Sequence, residues 1–167
     1  MANVAFREYA YWTVETSGHD TKEKAITESL LGFLGEYKEY TNALEELPES
    51  LIRKEIGDIC YYLGLFLNKT AIIDQVEIES NGKDFIDSLA ILFENYKKVV
   101  RENDWSILQT KEERRKTILE ECNNLLYWLY EECVINDFDF LDILNENKEK
   151  LLDRLNRNAI NGDGDNR

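Results

Sequence analysis

The chain has 167 residues, of which 34 are Asp or Glu and 20 are Lys or Arg, and its formal net charge is −14. This balance argues against a nucleic-acid partner, which requires a basic surface, and against docking on anionic lipid. A hydrophobic content of 43% with one Pro and eight Gly favours an almost wholly helical protein with a packed interior. We therefore expect a single all-α domain over residues 1–167.

The sequence shows no targeting or membrane segment. The longest uncharged apolar run, residues 59–67, is too short to span a bilayer, and the first ten residues lack the apolar core of a signal peptide. The three cysteines, Cys60, Cys122 and Cys133, form no C-x-x-C pair. We expect them to be small buried residues in a reducing compartment, so the sequence predicts a cytoplasmic protein.

Apolar residues at helical spacing predict three helices in the first part of the chain. The first covers residues 4–16. The second begins after a short loop, where Asp20 and Glu23 have the form of a capping box, and it ends before Pro48, which cannot continue a helix. A third helix is predicted at about residues 49–69.

Three more helices follow a stretch at 70–82 that lacks this periodicity. They are predicted at about residues 83–103, 110–134 and 139–157. Thr110 with Glu113 has the form of a capping box, and Asp139 with Asp142 is typical of a helix start. The last ten residues are polar and contain glycine, which predicts a disordered tail.

The chain contains a similar helical hairpin twice. The sequence EIGDICYYL (55–63) aligns with ECNNLLYWL (121–129), and LLGFLGEYKEY (30–40) aligns more loosely with SLAILFENYKK (88–98). Two amphipathic hairpins that face each other predict a four-helix-bundle-like core, with further helices at both ends of the chain. The alternative is that any two amphipathic helices look alike. We place the two repeats at about residues 20–69 and 83–136.

Two acidic pairs mark the first repeat: Glu36 with Glu39, and Glu55 with Asp58. An i,i+3 spacing places both carboxylates of a pair on one helix face, about 5–6 Å apart at Cβ. Because the chain turns at Pro48, we expect all four carboxylates to converge, which favours a cation between them. In so acidic a chain such pairs also arise by chance and then lie in solvent.

Glycines accompany these pairs at positions 32, 35 and 57. A glycine inside a helix costs about 0.8–1.0 kcal/mol relative to alanine. The three glycines therefore indicate close approach by another backbone or by a ligand.

The second repeat has lost the acidic pattern. Glu94 and Glu121 remain, but Lys97 and Asn124 stand where the first repeat has its other two acids. Lysine brings a cation and asparagine removes an anion, so we expect this repeat to be structural.

Oxygen ligands select hard cations such as Mg²⁺ or Mn²⁺. A di-iron bundle needs Glu-x-x-His pairs, and the single histidine, His19, lies in a loop outside both acidic pairs. No P-loop sequence occurs. The residues leave two alternatives: a Mg²⁺-dependent phosphoanhydride hydrolase, or a bundle that only binds metal and nucleotide.

The sequences GFLGEYKE (32–39) and EIGDICYYL (55–63) resemble the MazG-type all-α nucleoside triphosphate pyrophosphohydrolases, whose signature is E-x-x-E on one helix and E-x-x-D on the next. Three further segments resemble the first helix, last helix and glycine-rich ending of the family: FREY (6–9), ILNENKEKL (143–151) and KLLDRLNRNAINGDGDNR (150–167). The chain departs from the family at Ala10, where Gln is usual, and over most of residues 70–118.

The resemblance implies cleavage of a (deoxy)nucleoside triphosphate between the α- and β-phosphates, giving the monophosphate and pyrophosphate. It implies Glu36, Glu39, Glu55 and Asp58 as Mg²⁺ ligands, with Mn²⁺ as an alternative. One of these glutamates is expected to orient the attacking water. Asn147 and Lys150 are implied to hold the triphosphate.

Three further residues are candidates for contact with the nucleotide. Tyr62 shares the helix face of the acidic pair and offers a ring for stacking on a base, although a core position explains it as well. Asp165 and Arg167 are candidates to fold over the substrate. A homodimer is compatible with the family but not required. The competing interpretations are a catalytically weak nucleotide- and metal-binding helical module, and a helical interaction protein.

Overall fold

The computed structural model of the protein describes residues 1–46, 48–103, 107 and 110–157. Over these residues the chain forms six α-helices and no strand, which confirms the predicted all-α class. The helices are α1 (Ala2–Trp12), α2 (Lys22–Glu46), α3 (Glu49–Lys69), α4 (Phe85–Arg101), α5 (Glu112–Ile135) and α6 (Phe140–Asn156). None of the described helices is long and apolar enough to cross a membrane.

The helices pack as two hairpins with a helix from each end of the chain. The α2–α3 hairpin has the most extensive packing in the described structure, and α4–α5 forms the second hairpin. Helix α3 is central, because it contacts α1, α2, α5 and α6. The two hairpins also meet through stacked rings, among them Tyr37 and Phe85 with centroids 4.1 Å apart. Cys60, Cys122 and Cys133 are buried free thiols within this arrangement, as predicted.

Three predicted helices differ by two residues or more at an end, among them the fifth, predicted at 110–134, which begins at Glu112. The first, predicted at 4–16, is α1 followed by a single 3₁₀ turn at Thr13–Glu15. The fourth, predicted at 83–103, begins two residues later, because the carboxylate of Asp84 accepts a hydrogen bond from the first turn of α4 and so caps it.

Only one of the three predicted helix caps is confirmed. Asp139 accepts hydrogen bonds from two backbone N–H groups in the first turn of α6. At α2 the cap is Thr21 rather than Asp20, since the Thr21 hydroxyl oxygen accepts from the N–H three residues later at 3.2 Å. Thr110 does not cap α5; its hydroxyl lies 3.4 Å from the Glu102 carboxylate. The guanidinium of Arg114 donates to the Thr110 hydroxyl oxygen at 3.3 Å, in place of the backbone N–H donor that the local pattern predicts.

Candidate functional site

Three of the predicted metal ligands converge between α2 and α3. One carboxylate oxygen from each of Glu36, Glu39 and Glu55 lies within 4.8 Å of the other two. With Mg²⁺–oxygen distances of about 2.1 Å in an octahedral site, adjacent ligands lie about 3.0 Å apart and opposite ligands about 4.2 Å apart, so the three side chains would draw together around an ion. Glu39 is exposed, Glu36 is half-buried and Glu55 is buried. The donor set therefore fits a hard divalent cation that stays open to solvent on one side.

Glu55 carries a buried oxygen with no donor. Its Oε1 lies 2.9 Å from Nζ of Lys54, whereas its Oε2 receives no hydrogen bond from any residue that the structure describes. A buried carboxylate oxygen without a partner is costly. A bound cation would satisfy this atom.

The cluster retains a proton near neutral pH. The pKa of Glu36 is raised to about 8, chiefly by burial and then by the charges of Asp58, Glu39 and Glu55. Burial also raises the pKa of Glu55, against the lowering effect of Lys54. Glu36 is therefore the member of the cluster that holds the proton, beside the carboxylate of Glu55. A cation bound here would displace that proton.

Asp58 lies beside these three carboxylates but faces α6. Its Oδ1 accepts a 2.6 Å hydrogen bond from Nδ2 of Asn147 and forms an ion pair with Nζ of Lys150. Its charge is nevertheless close enough to raise the pKa of Glu36. Four carboxylates were expected to converge, but only three do so in the structure. The fourth, Asp58, lies beside them because Lys150 and Asn147 of α6 hold it.

A tyrosine of α1 sets the orientation of the Asn147 amide. Tyr9 donates a 2.7 Å hydrogen bond to Oδ1 of Asn147, which leaves Nδ2 to face Asp58. Burial raises the pKa of Tyr9 well above its ordinary value, so the phenol keeps its proton and remains a donor. The sequence analysis did not assign this role, although Tyr9 belongs to the FREY segment.

The glycines near the acidic pairs have three different surroundings. A Cβ on Gly57 would lie 3.0 Å from Cβ of Asn147, so the absence of a side chain at Gly57 lets α6 pack closely against α3. A Cβ on Gly32 would lie 2.3 Å from the ring of Tyr62, which the glycine accommodates. A Cβ on Gly35 would have no neighbour within 4 Å in the described structure, so no other part of the described chain approaches here, and approach by a ligand stays a prediction. The Tyr62 ring is half-buried and also meets the ring of Tyr61 at 5.3 Å, and its contact with a base stays a prediction.

A pocket of about 250 Å³ lies between α3 and α6, next to the carboxylates. Its polar lining comes from Ser50, Arg53, Lys54, Glu146, Asn147 and Lys150. Two of these side chains, Lys54 and Lys150, are the ones that pair with Glu55 and Asp58. Asn147 and Lys150 were predicted from the sequence, whereas Lys54 was not; its only sequence signal is its position directly before Glu55.

In the second repeat, the residues that correspond to Glu55 and Asp58 are bonded to residues 80–83 of the same chain. Glu121, the counterpart of Glu55, is 1% exposed, and its carboxylate lies 2.7 Å from Nζ of Lys83. Asn124, the counterpart of Asp58, is hydrogen-bonded to polar groups of residues 80–83. Glu94 is exposed and pairs with two lysines of its own helix. In the second repeat the retained Glu121 is thus paired with an ammonium group of the same chain, and an amide takes the place of Asp58.

A comparison with known protein families, curated proteins and solved structures finds no match. Function is therefore inferred from the chemistry of the two hairpins and of the pocket beside them. Two of the predicted substrate residues, Asp165 and Arg167, lie outside the described residues, as does the rest of the predicted tail at 158–167.

Proposed function

We propose that this chain is a cytoplasmic, Mg²⁺-dependent nucleoside triphosphate pyrophosphohydrolase of the MazG-like all-α type. The observation that carries the proposal is the grouping of Glu36, Glu39 and Glu55, with one oxygen of each within 4.8 Å of the others. The buried Oε2 of Glu55 supports it, because this atom lacks a donor among the described residues. The resemblance of residues 32–39 and 55–63 to the family signature supports it from the sequence side.

Under this proposal Glu36, Glu39 and Glu55 hold the cation, and Asp58 joins them once Lys150 has left it. Mg²⁺, with Mn²⁺ as an alternative, would supply charge neutralisation at the phosphates and acidify a bound water.

Glu39 is the carboxylate best placed to orient the attacking water, because it is the exposed member of the group. The water oxygen forms a bond to the α-phosphorus, and the bond from that phosphorus to the α–β bridging oxygen breaks. The products are the nucleoside monophosphate and pyrophosphate, and a proton of the water passes to the carboxylate.

Side chains of α6 hold the triphosphate in this scheme. Lys150 supplies a point charge for phosphate, and Asn147 supplies the N–H donor that now faces Asp58. Tyr62, Asp165 and Arg167 remain candidates for contact with the nucleoside. A homodimer is compatible with the proposal and not required by it.

Pyrophosphate release from a panel of ribo- and deoxyribonucleoside triphosphates tests the proposal. We expect turnover of at least one of them with Mg²⁺ and none after chelation. Glu39→Gln should abolish turnover and leave the fold intact, since Glu39 is exposed. Glu45→Gln, also exposed and on the same helix, is the matched control and should retain activity.

Two outcomes would contradict the proposal. A folded protein that turns over none of the triphosphates, yet is stabilised by Mg²⁺ and nucleotide, would be a nucleotide- and metal-binding module. A protein whose melting temperature is indifferent to Mg²⁺ would be a helical interaction protein, since a cation that binds only the native state must raise it.

A further inference from the structure

The hydrogen bonds around Asn147 can run in only one direction. The carboxylate of Asp58 is an acceptor, so the atom of Asn147 that lies 2.6 Å from its Oδ1 is the donor Nδ2. The amide oxygen therefore faces Tyr9, whose hydroxyl donates to it at 2.7 Å. Tyr9 is 5% exposed and Asn147 is 4% exposed, so both groups are largely shielded from water. The three side chains thus form one directed chain of hydrogen bonds, from α1 through α6 to α3.

A half-turn of this amide would exchange a donor for a metal ligand. The oxygen and nitrogen of an amide are nearly the same size, so rotation about the Cβ–Cγ bond of Asn147 needs no additional space. After such a turn Oδ1 would take the place of Nδ2, which lies 2.6 Å from the Asp58 oxygen. Adjacent oxygen ligands of one cation lie about 3 Å apart, and amide oxygens are ligands of Ca²⁺. A cation on Asp58 would then have Asn147 beside it as an additional ligand.

The phenol of Tyr9 opposes this half-turn. With the amide reversed, the Tyr9 hydroxyl would face an N–H group and would lose the acceptor that its own proton now has. A buried donor that loses its partner is costly. Tyr9 therefore keeps Asn147 in the donor orientation, with its amide oxygen turned away from Asp58.

We propose that Tyr9 is a positioning residue that gives the candidate metal site a preference for Mg²⁺ over Ca²⁺, because it prevents the amide oxygen of Asn147 from ligating the cation. The inference rests on the proposed function, since it takes Asp58 as a metal ligand. Ca²⁺ accepts roughly six to eight oxygen ligands in flexible geometry, whereas Mg²⁺ requires a nearly octahedral set and usually keeps several waters. An extra protein oxygen therefore favours Ca²⁺. With the amide fixed as a donor, the site offers the cation carboxylates and leaves its other positions to water and substrate.

Calorimetric titration of the full chain with Mg²⁺ and with Ca²⁺, each alone, tests the proposal. We expect Tyr9→Phe to raise the ratio of Ca²⁺ affinity to Mg²⁺ affinity about 5-fold or more, because the amide can then turn toward the cation. A purely structural role of the phenol would lower both affinities together and leave their ratio unchanged. An unchanged or reduced ratio in the folded Tyr9→Phe protein overturns the proposal.

Asn147→Leu separates the role of the phenol from that of the amide, because leucine has the branched shape of asparagine but offers no oxygen. In the parent background it should leave the ratio unchanged, since the amide oxygen is not a ligand there. A ratio that falls several-fold would show that it is a ligand, and would overturn the proposal even if Tyr9→Phe did not fold. In the Tyr9→Phe background Asn147→Leu should return the ratio to that of the parent, because the phenol acts only through the amide. A ratio that stays raised in the double variant contradicts this mechanism.

Tyr40→Phe is the matched control. Tyr40 is 2% exposed, and its hydroxyl also donates to a buried side-chain partner's oxygen, but that partner is Glu132 of α5, which is not part of the candidate metal site. We expect this variant to keep the ratio of the parent. A ratio that rises as much as in Tyr9→Phe would show that loss of any buried tyrosine hydroxyl has this effect, and the proposal would fail.

The two proposals fail separately. A raised ratio in Tyr9→Phe, in a protein without turnover, would support the positioning role and remove the hydrolase. Turnover with Mg²⁺ and an unchanged ratio would leave the hydrolase and remove the positioning role. A parent that binds neither cation removes both.

Discussion

Asn147 on α6 donates a 2.6 Å hydrogen bond from Nδ2 to Oδ1 of Asp58 on α3. The other end of the same amide accepts from Tyr9 on α1, and Asn147 is only 4% exposed. One buried amide therefore joins three helices and fixes the direction in which the carboxylate of Asp58 is held.

Tyr9→Phe should destabilise the protein, because it leaves Oδ1 of Asn147 buried without its donor. We expect the free energy of unfolding to fall by about 1–3 kcal/mol, measured by urea denaturation. Tyr11→Phe is the control, since the Tyr11 hydroxyl bonds Asp74 in solvent, and it should change stability little. Equal losses in the two variants would show that burial of the amide contributes nothing.

Gly57→Ala and Gly35→Ala should have opposite effects on stability. A Cβ at Gly57 would lie 3.0 Å from Cβ of Asn147, a backbone-fixed atom that is held on both sides by hydrogen bonds. We expect overpacking at Gly57 to lower the free energy of unfolding by about 1–3 kcal/mol, which exceeds the stabilisation from the higher helix propensity of alanine. A Cβ at Gly35 would meet nothing within 4 Å in the described structure, so its replacement should stabilise by about 0.5–1 kcal/mol. Thermal and urea unfolding of both variants provide the measurement, and a stabilised Gly57→Ala protein would contradict the packing argument.

Lys83→Met should be destabilising, because it removes the cation from the buried carboxylate of Glu121 and leaves the amide of Asn81 as a donor to it. We expect a loss of about 1–3 kcal/mol in urea unfolding, since Lys83 itself is 38% exposed. Adding Glu121→Gln to the same chain should recover part of the loss, since the buried charge is then gone. Lys97→Met removes an exposed pair instead and should have little effect. An unaffected Lys83→Met protein would show that the second repeat tolerates the unpaired acid.

The metal-free protein should lose stability as pH rises from about 5 to about 8. The pKa of Glu36 is raised from 4.5 to about 8 in the folded state, so between these values the folded chain binds more protons than the unfolded one, and the free energy of unfolding falls with pH. Burial of Glu55 acts in the same direction. Glu36→Gln should flatten the dependence, and Mg²⁺ should restore stability at the alkaline end. Urea unfolding at pH 5 and pH 8 measures both effects. The same change in free energy of unfolding between these pH values in parent and variant would contradict the raised pKa of Glu36.

The helices were predictable because their signals are local. The 3.6-residue periodicity and the single Pro48 located α2 and α3, and Asp139 marked the start of α6. Cap identity was less predictable, since Asp20 and Thr21 are adjacent and both residue types suit an N-cap, and only the structure shows that Thr21 accepts the hydrogen bond.

The sequence by itself determined the helical class and the two hairpins. It also determined that Glu36 and Glu39 share one helix face and that Glu55 and Asp58 share another. These depend only on the spacing of residues along one helix. The tertiary structure alone decided that Asp58 faces α6, because its cationic partner Lys150 is 92 positions away in the chain and no pattern of nearby residues encodes that distance. It also decided that Lys54 and Lys150 share one pocket, since the charge of a site is summed over helices that only the packed core brings together.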